Sequence, residues 1–216
     1  EIPMVRTLRN RLTKKWNHSQ EDSLKHVIHF DIQKTDELIN GNWSDQTNSI
    51  YGNSNHEEVA QKGLKGLVGD KKVNLIIGGP PCQAYSVAGR AQDKNSMKDD
   101  YRNYLFESFI NVVAAFKPEV FVFENVPGML SASPGDKMVT ERVYESFSKY
   151  GYTIKKPNEL KNAIQVASDF GVAQKRKRVI IIGVRNDVLS DDFSLETIYK
   201  EIDNLKSDKT ISIKEV

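Results

Sequence analysis

The sequence predicts an α/β protein, built as a parallel sheet with helices on both faces. Three observations lead there. Val73–Ile77, Val120–Phe123 and Val179–Val184 are short, nearly continuous apolar runs, the pattern of strands covered on both sides. Between them, apolar residues recur every three or four positions, as on one face of a helix. The first two strands run directly into Gly78-Gly79-Pro80-Pro81-Cys82 and Glu124-Asn125, and open α/β sheets carry their chemistry at such carboxyl ends.

In chain order, Val5, Leu8, Leu12 and Trp16 predict a helix within residues 2–16, and polar Asn17–Asp22 a turn. Val27–Ile32 reads as a short strand carrying Asp31 near its end, and a short helix begins at Thr35. Residues 40–55 are rich in Asn, Ser and Gly and read as an exposed loop. Helical spacing returns over Glu57–Leu67, before the 73–77 strand. Residues 87–100 are polar and aperiodic, a long loop of the kind that carries function. Leu105, Phe109, Val112, Val113 and Phe116 mark a helix face stopped by Lys117-Pro118. Val139, Val143 and Phe147 mark another, closed by Gly151. Tyr152–Ile154 and Ile164–Ala167 are weaker strand patterns, and beyond Arg185 the chain turns polar and acidic, as helix and loop.

Composition narrows the function classes without naming one. Hydrophobic content of 38% and charged content of 28% suit a globular protein with one core. A net charge of +2 excludes a strongly basic nucleic-acid binder, so any DNA affinity must come from local patches. No run approaches the roughly 18 apolar residues of a membrane helix. Glu1–Arg6 lacks the apolar core of a signal peptide. A single cysteine forms no internal disulfide, which suits a reducing compartment, here the cytoplasm.

That cysteine, Cys82, sits on a turn stiffened by two prolines. A lone cysteine is otherwise a small buried hydrophobe, and Glu124 otherwise a surface acid closing a strand. Lys175-Arg176-Lys177-Arg178 is otherwise a solvated basic edge. The order of Pro80-Pro81-Cys82-Gln83, Glu124-Asn125-Val126 and Gln174-Lys175-Arg176-Lys177-Arg178 resembles the motifs of the C5-cytosine DNA methyltransferase family.

The resemblance implies the Rossmann-like fold of adenosylmethionine-dependent methyltransferases, with a mostly parallel sheet that is incomplete at the N-terminus. It implies methyl transfer from S-adenosylmethionine to carbon 5 of a flipped-out cytosine in double-stranded DNA, within a bacterial restriction-modification system. In such a reaction Cys82 adds to carbon 6, Glu124 engages ring nitrogen 3 and the exocyclic amine, and Arg176 and Arg178 serve the carbonyl oxygen and flanking phosphates. Gln83 and Ser86 would approach the DNA, and Arg90 would add a phosphate contact. For the cofactor, the resemblance assigns Glu1 to the ribose hydroxyls, Asp31 to the adenine amine, Ile32 to the base, and Pro80 and Leu105 to the methionine end. No metal and no membrane are implied. The same chemistry on a transfer RNA cytosine, or a non-catalytic binding subunit, are the alternatives. In the family a glycine-rich strand would precede Glu1 and a DNA-recognition region would follow Val216. Residues 1–185 are therefore expected to form a partial catalytic core and 186–216 a connection, with flanking segments or a complementing chain needed for activity.

Overall fold

Strand β2 (Val120–Asn125) shows how the sheet is packed, because its residues alternate in burial. The computed structural model describes residues 2–52, 57–81, 105–134, 136–207, 209 and 211–212. They fall in two units, 1–72 and 73–216.

In the second unit, β1 (Leu75–Gly78) pairs parallel to β2. Strand β5 (Lys177–Arg185) pairs antiparallel to β2, and β3 (Tyr152–Thr153) and β4 (Ile164–Val166) pair antiparallel to β5. The α/β class is borne out, but the expected mostly parallel pairing is corrected: one described pairing is parallel and three are antiparallel. For β4 the reason is the connection: only a 3₁₀ turn, Ala167–Phe170, and a few further residues separate it from β5, and a parallel neighbour needs a crossover of about a dozen residues or more.

One face of the sheet carries Phe121 and Phe123 against helices α6 (Leu105–Phe116) and α7 (Val139–Lys149). Phe121 stacks on Phe147 at 4.0 Å between ring centroids and meets Phe109 and Tyr152 edge-on. Two glycines make room for these rings. A Cβ on Gly78 would lie 2.3 Å from the Phe109 ring, and one on Gly183 2.1 Å from Phe121. The opposite face is buried at Ile182 and Val184 but open at β1, where Leu75 is 50% and Ile77 69% exposed. The expectation that the 73–77 run is covered on both faces is thus corrected. Beyond β2, β1 pairs with no strand among the described residues.

Helix α8 (Leu195–Asn204) is anchored by Leu195 and Tyr199, both buried. The Tyr199 hydroxyl donates to Ile180 O at 2.8 Å and accepts from Ile182 N at 3.1 Å. It thereby serves the stretch of β5 between the residues paired with β4 and those paired with β3. Burial pushes its pKa up to about 12, so it stays a neutral donor.

The first unit is helical. Helices α1 (Ile2–Trp16), α3 (Thr35–Asn40) and α5 (Glu57–Val68) form as their spacing predicts. Two further helices replace expected turn and loop: α2 (Gln20–His26), capped by Ser19, and α4 (Asp45–Tyr51), capped by Ser44. Each cap side chain accepts from the backbone N–H three residues on, and each first turn carries an acid, a start signal legible in the sequence. The expected strand at 27–32 does not form. Phe30 packs against Trp43 and Tyr51 at 4.7 and 4.9 Å, and an extended run without a pairing edge among the described residues is no strand. Gly63, with φ of 62°, breaks the regularity of α5 where its backbone meets that of Gly41, with φ of 77°. A Cβ on Gly63 would lie 2.4 Å from Gly41 N.

Candidate active site

Parallel pairing in register carries β1 and β2 to the same end of the sheet, so the turn after Gly78 arrives beside Glu124. A Cβ on Gly79 would lie 3.0 Å from Glu124 Oε2, so the turn passes close against that carboxyl and a side chain there would press on it. Asn125, 1% exposed, holds the same turn. Its Nδ2 donates to Pro80 O at 3.4 Å, and its Oδ1 accepts from Val126 N at 2.9 Å. The amide therefore ties the end of β2 to the residues leading towards Cys82.

From β5, Arg178 reaches across to Glu124, with Nε 2.6 Å from Oε1, a charge-assisted contact between half-buried side chains. Arg178 Nη1 also donates to Lys177 O at 2.7 Å. Arg176 lies just before β5. Its carbonyl accepts from Ala167 N at 2.9 Å and its side chain is exposed, as are those of Lys175 and Lys177. The structure thus brings together Glu124, Arg178 and the Gly79-Pro80 turn. An acid and a guanidinium at one strand end can address the polar edge of a heterocycle.

Pro80 is half-buried on the turn, and Leu105, which opens α6, is buried. In the first unit, Asp31 and Ile32 lie at a turn where Asp31 Oδ1 accepts from Gln33 N at 3.0 Å. Cys82, Gln83, Ser86, Arg90, the 87–100 loop and Glu1 lie outside the described residues. Motif reading passed over Gln165 of β4, which stands opposite Arg178 in the ladder. No local signal marks it, because only the strand register places it there.

The family model described as C-5 cytosine-specific DNA methylase matches residues 18–215. The chain belongs to this family. Among curated relatives, the Type II methyltransferase M.Bpa9945I of Bacillus paralicheniformis is 52% identical over 114 residues, 51% of this chain and 25% of that protein. M.BspRI of Lysinibacillus sphaericus is 39% identical over 148 residues, 68% of this chain and 31% of that protein. Among solved structures, one described as a DNA modification methyltransferase encoded within an E. coli prophage is 28% identical. It covers 70% of this chain and 36% of its own, with a TM-score of 0.48. The chain spans between a quarter and a third of the length of these curated relatives. Its α/β sheet agrees with the adenosylmethionine-methyltransferase fold that membership of the family implies. No helix among the described residues is long and apolar enough to cross a membrane.

Proposed function

We propose that the chain is the catalytic segment of a DNA cytosine-5 methyltransferase, acting on double-stranded DNA in a restriction-modification system of the bacterial cytoplasm. One observation carries the reading: Glu124, paired to Arg178, lies against Gly79, three residues before Cys82.

Carbon 5 of cytosine is a poor nucleophile, and in a stacked duplex it is out of reach, so the target nucleotide is extruded. The Cys82 thiolate gives its electron pair to a new bond at carbon 6. As its carboxyl turns from Arg178 to the base, Glu124 takes up a proton from solvent and passes it to nitrogen 3, which takes up the charge pushed into the ring, and Arg178 and Arg176 serve the carbonyl oxygen and the flanking phosphates. The resulting enamine makes carbon 5 nucleophilic, and it forms the new carbon–carbon bond to a methyl group. A base then removes the carbon 5 proton, the electron pair re-forms the double bond, and Cys82 leaves as thiolate while the nitrogen 3 proton is returned. Asn125 keeps the Pro80 turn in register with Glu124 through these steps.

S-adenosylmethionine, when bound, would supply the methyl on a positively charged sulfur, which would keep the electron pair of the broken carbon–sulfur bond and leave as a neutral thioether. Asp31 fits its adenine amine. One carboxylate oxygen is committed to Gln33 N, and the other accepts from no described residue. Ile32 would pack on the base, Pro80 and Leu105 would line the methionine end, and Glu1 would take the ribose. Gln83, Ser86 and Arg90 would meet the DNA, and 186–216 would lead towards a recognition region. The edge of β1, which pairs with no strand beyond β2 among the described residues, suits a further strand, from flanking sequence or a complementing chain.

The test is DNA carrying 5-fluorocytosine, offered with adenosylmethionine to the chain together with its flanking sequence or complementing chain. A denaturation-resistant adduct is expected with the parent and none with Cys82→Ala. A parent that methylates ordinary DNA yet traps no adduct overturns the Cys82 role. The chain alone is expected to transfer no tritiated methyl; sequence-specific transfer by it would remove the need for a further strand.

A further inference from the structure

Gln165 stands opposite Arg178 in the β4–β5 ladder, and Glu124 stands opposite Ile180 in the β2–β5 ladder. Residues 178 and 180 point to the same side of β5, so Gln165, Arg178 and Glu124 share one face, with Arg178 in the middle. Gln165 is 8% exposed, and its Oε1 is buried with no hydrogen-bond partner among the described residues. Burying an acceptor unmade is costly, and most such groups in native proteins find a donor. The guanidinium opposite it has donors to spare. Nε goes to Glu124 and Nη1 to Lys177 O, which leaves further N–H groups of the five.

We propose that Gln165 is a positioning residue, the second seat of the Arg178 guanidinium. The inference rests on the proposed reaction, in which Glu124 must turn from Arg178 to the ring nitrogen and amine of the base. At that moment the arginine loses its partner on one side. Gln165 offers a buried acceptor on the other, at the spacing of a cross-strand pair. Held there, Arg178 keeps its charge at the site without competing for the Glu124 oxygen that addresses the base. No covalent step is involved; one hydrogen bond is exchanged for another.

Two measurements test this, and the first needs no catalysis. In thermal unfolding of the full chain, Gln165→Leu and Arg178→Met are expected to couple in the parent, where Arg178 sits on Glu124, only as packed cross-strand neighbours do. The coupling is expected to grow in a Glu124→Ala background, where the arginine moves to Gln165. The same coupling in both backgrounds, or none in either, overturns the proposal; if Gln165→Leu does not fold, Gln165→Met, closer in shape, takes its place. In the second, Gln165→Leu slows single-turnover adduct formation on 5-fluorocytosine DNA about tenfold, the effect of one hydrogen bond. KM for DNA stays unchanged, and Gln165→Glu, which keeps an acceptor, restores the rate. An unchanged rate in Gln165→Leu, or a loss that Gln165→Glu does not restore, also overturns it. Absence of any adduct in the parent counts against the proposed function instead, and the unfolding cycle then judges the second seat by itself.

Discussion

Gly183→Ala tests the packing on which the sheet rests. Gly183 stands opposite Phe121 across the β2–β5 ladder, and a Cβ there would fall 2.1 Å from Phe121 Cε1 and 2.2 Å from Cζ. Carbon atoms rest at about 3.5–4.0 Å, so the ring would have to withdraw by more than an ångström. Its surroundings do not give way easily. Phe121 is fully buried, stacked on Phe147 at 4.0 Å, with Tyr152 at 5.3 Å and Phe109 at 6.1 Å between centroids. Overpacking of this kind costs about 1–3 kcal/mol, and a ring held on three sides belongs at the upper end. A loss of about 3 kcal/mol would lower the urea midpoint by on the order of 1 M. Both tryptophans, Trp16 and Trp43, lie in the first unit, so the transition is best followed by near-ultraviolet circular dichroism of the aromatic cluster. Phe121→Leu in the same chain should relieve part of the clash, making the pair non-additive. A parental midpoint in Gly183→Ala, or strict additivity with Phe121→Leu, would refute this account of the strand glycine.

Glu124→Gln keeps a hydrogen-bonding group beside nitrogen 3 but loses the acid. Single-turnover methylation should fall by about 10²–10⁴, with a smaller change in DNA affinity, and an unchanged rate would move the acid role elsewhere. In the first unit, the Ser44 backbone N–H and the Thr47 hydroxyl hold Glu37 well below its usual range, from 4.5 to about 2. A depressed acid contributes stability that is fully present above its unfolded pKa and is lost as pH falls through the folded value. The unfolding midpoint read by Trp43 should therefore drop between about pH 4.5 and 2, and Glu37→Gln should flatten that slope. A parental slope in Glu37→Gln would place the titration in other carboxylates. Tyr199→Phe removes the hydroxyl that serves Ile180 O and Ile182 N, at a cost of about 1–3 kcal/mol. Hydrogen exchange at the Ile182 amide should speed up, and unchanged protection would mean that another group takes the place of the hydroxyl.

The strands β1, β2 and β5 and the helices α1, α5, α6 and α7 were legible because periodicity is a local property. The same holds for the motifs at the ends of β1 and β2, since an acid or a glycine–proline turn after an apolar run needs no distant partner to be recognised. The missed helices α2 and α4 were also local, written in Ser19 and Ser44 as caps, and a reading weighted to polarity passed over them. Other features were decided only in three dimensions. An apolar run shows that a strand exists but not its direction, so Val179–Val184 gave no sign that it would lie antiparallel to β2. Nor does it show its cover: Val73–Ile77 reads as doubly buried, yet Leu75 and Ile77 are exposed, because burial belongs to the neighbours as much as to the residue. The Glu124–Arg178 contact, the closeness of Gly79 to that carboxyl and the place of Gln165 beside Arg178 all follow from strand register. Residue type set which groups could do chemistry. Register, which depends on pairings between residues far apart in the chain, set which of them meet.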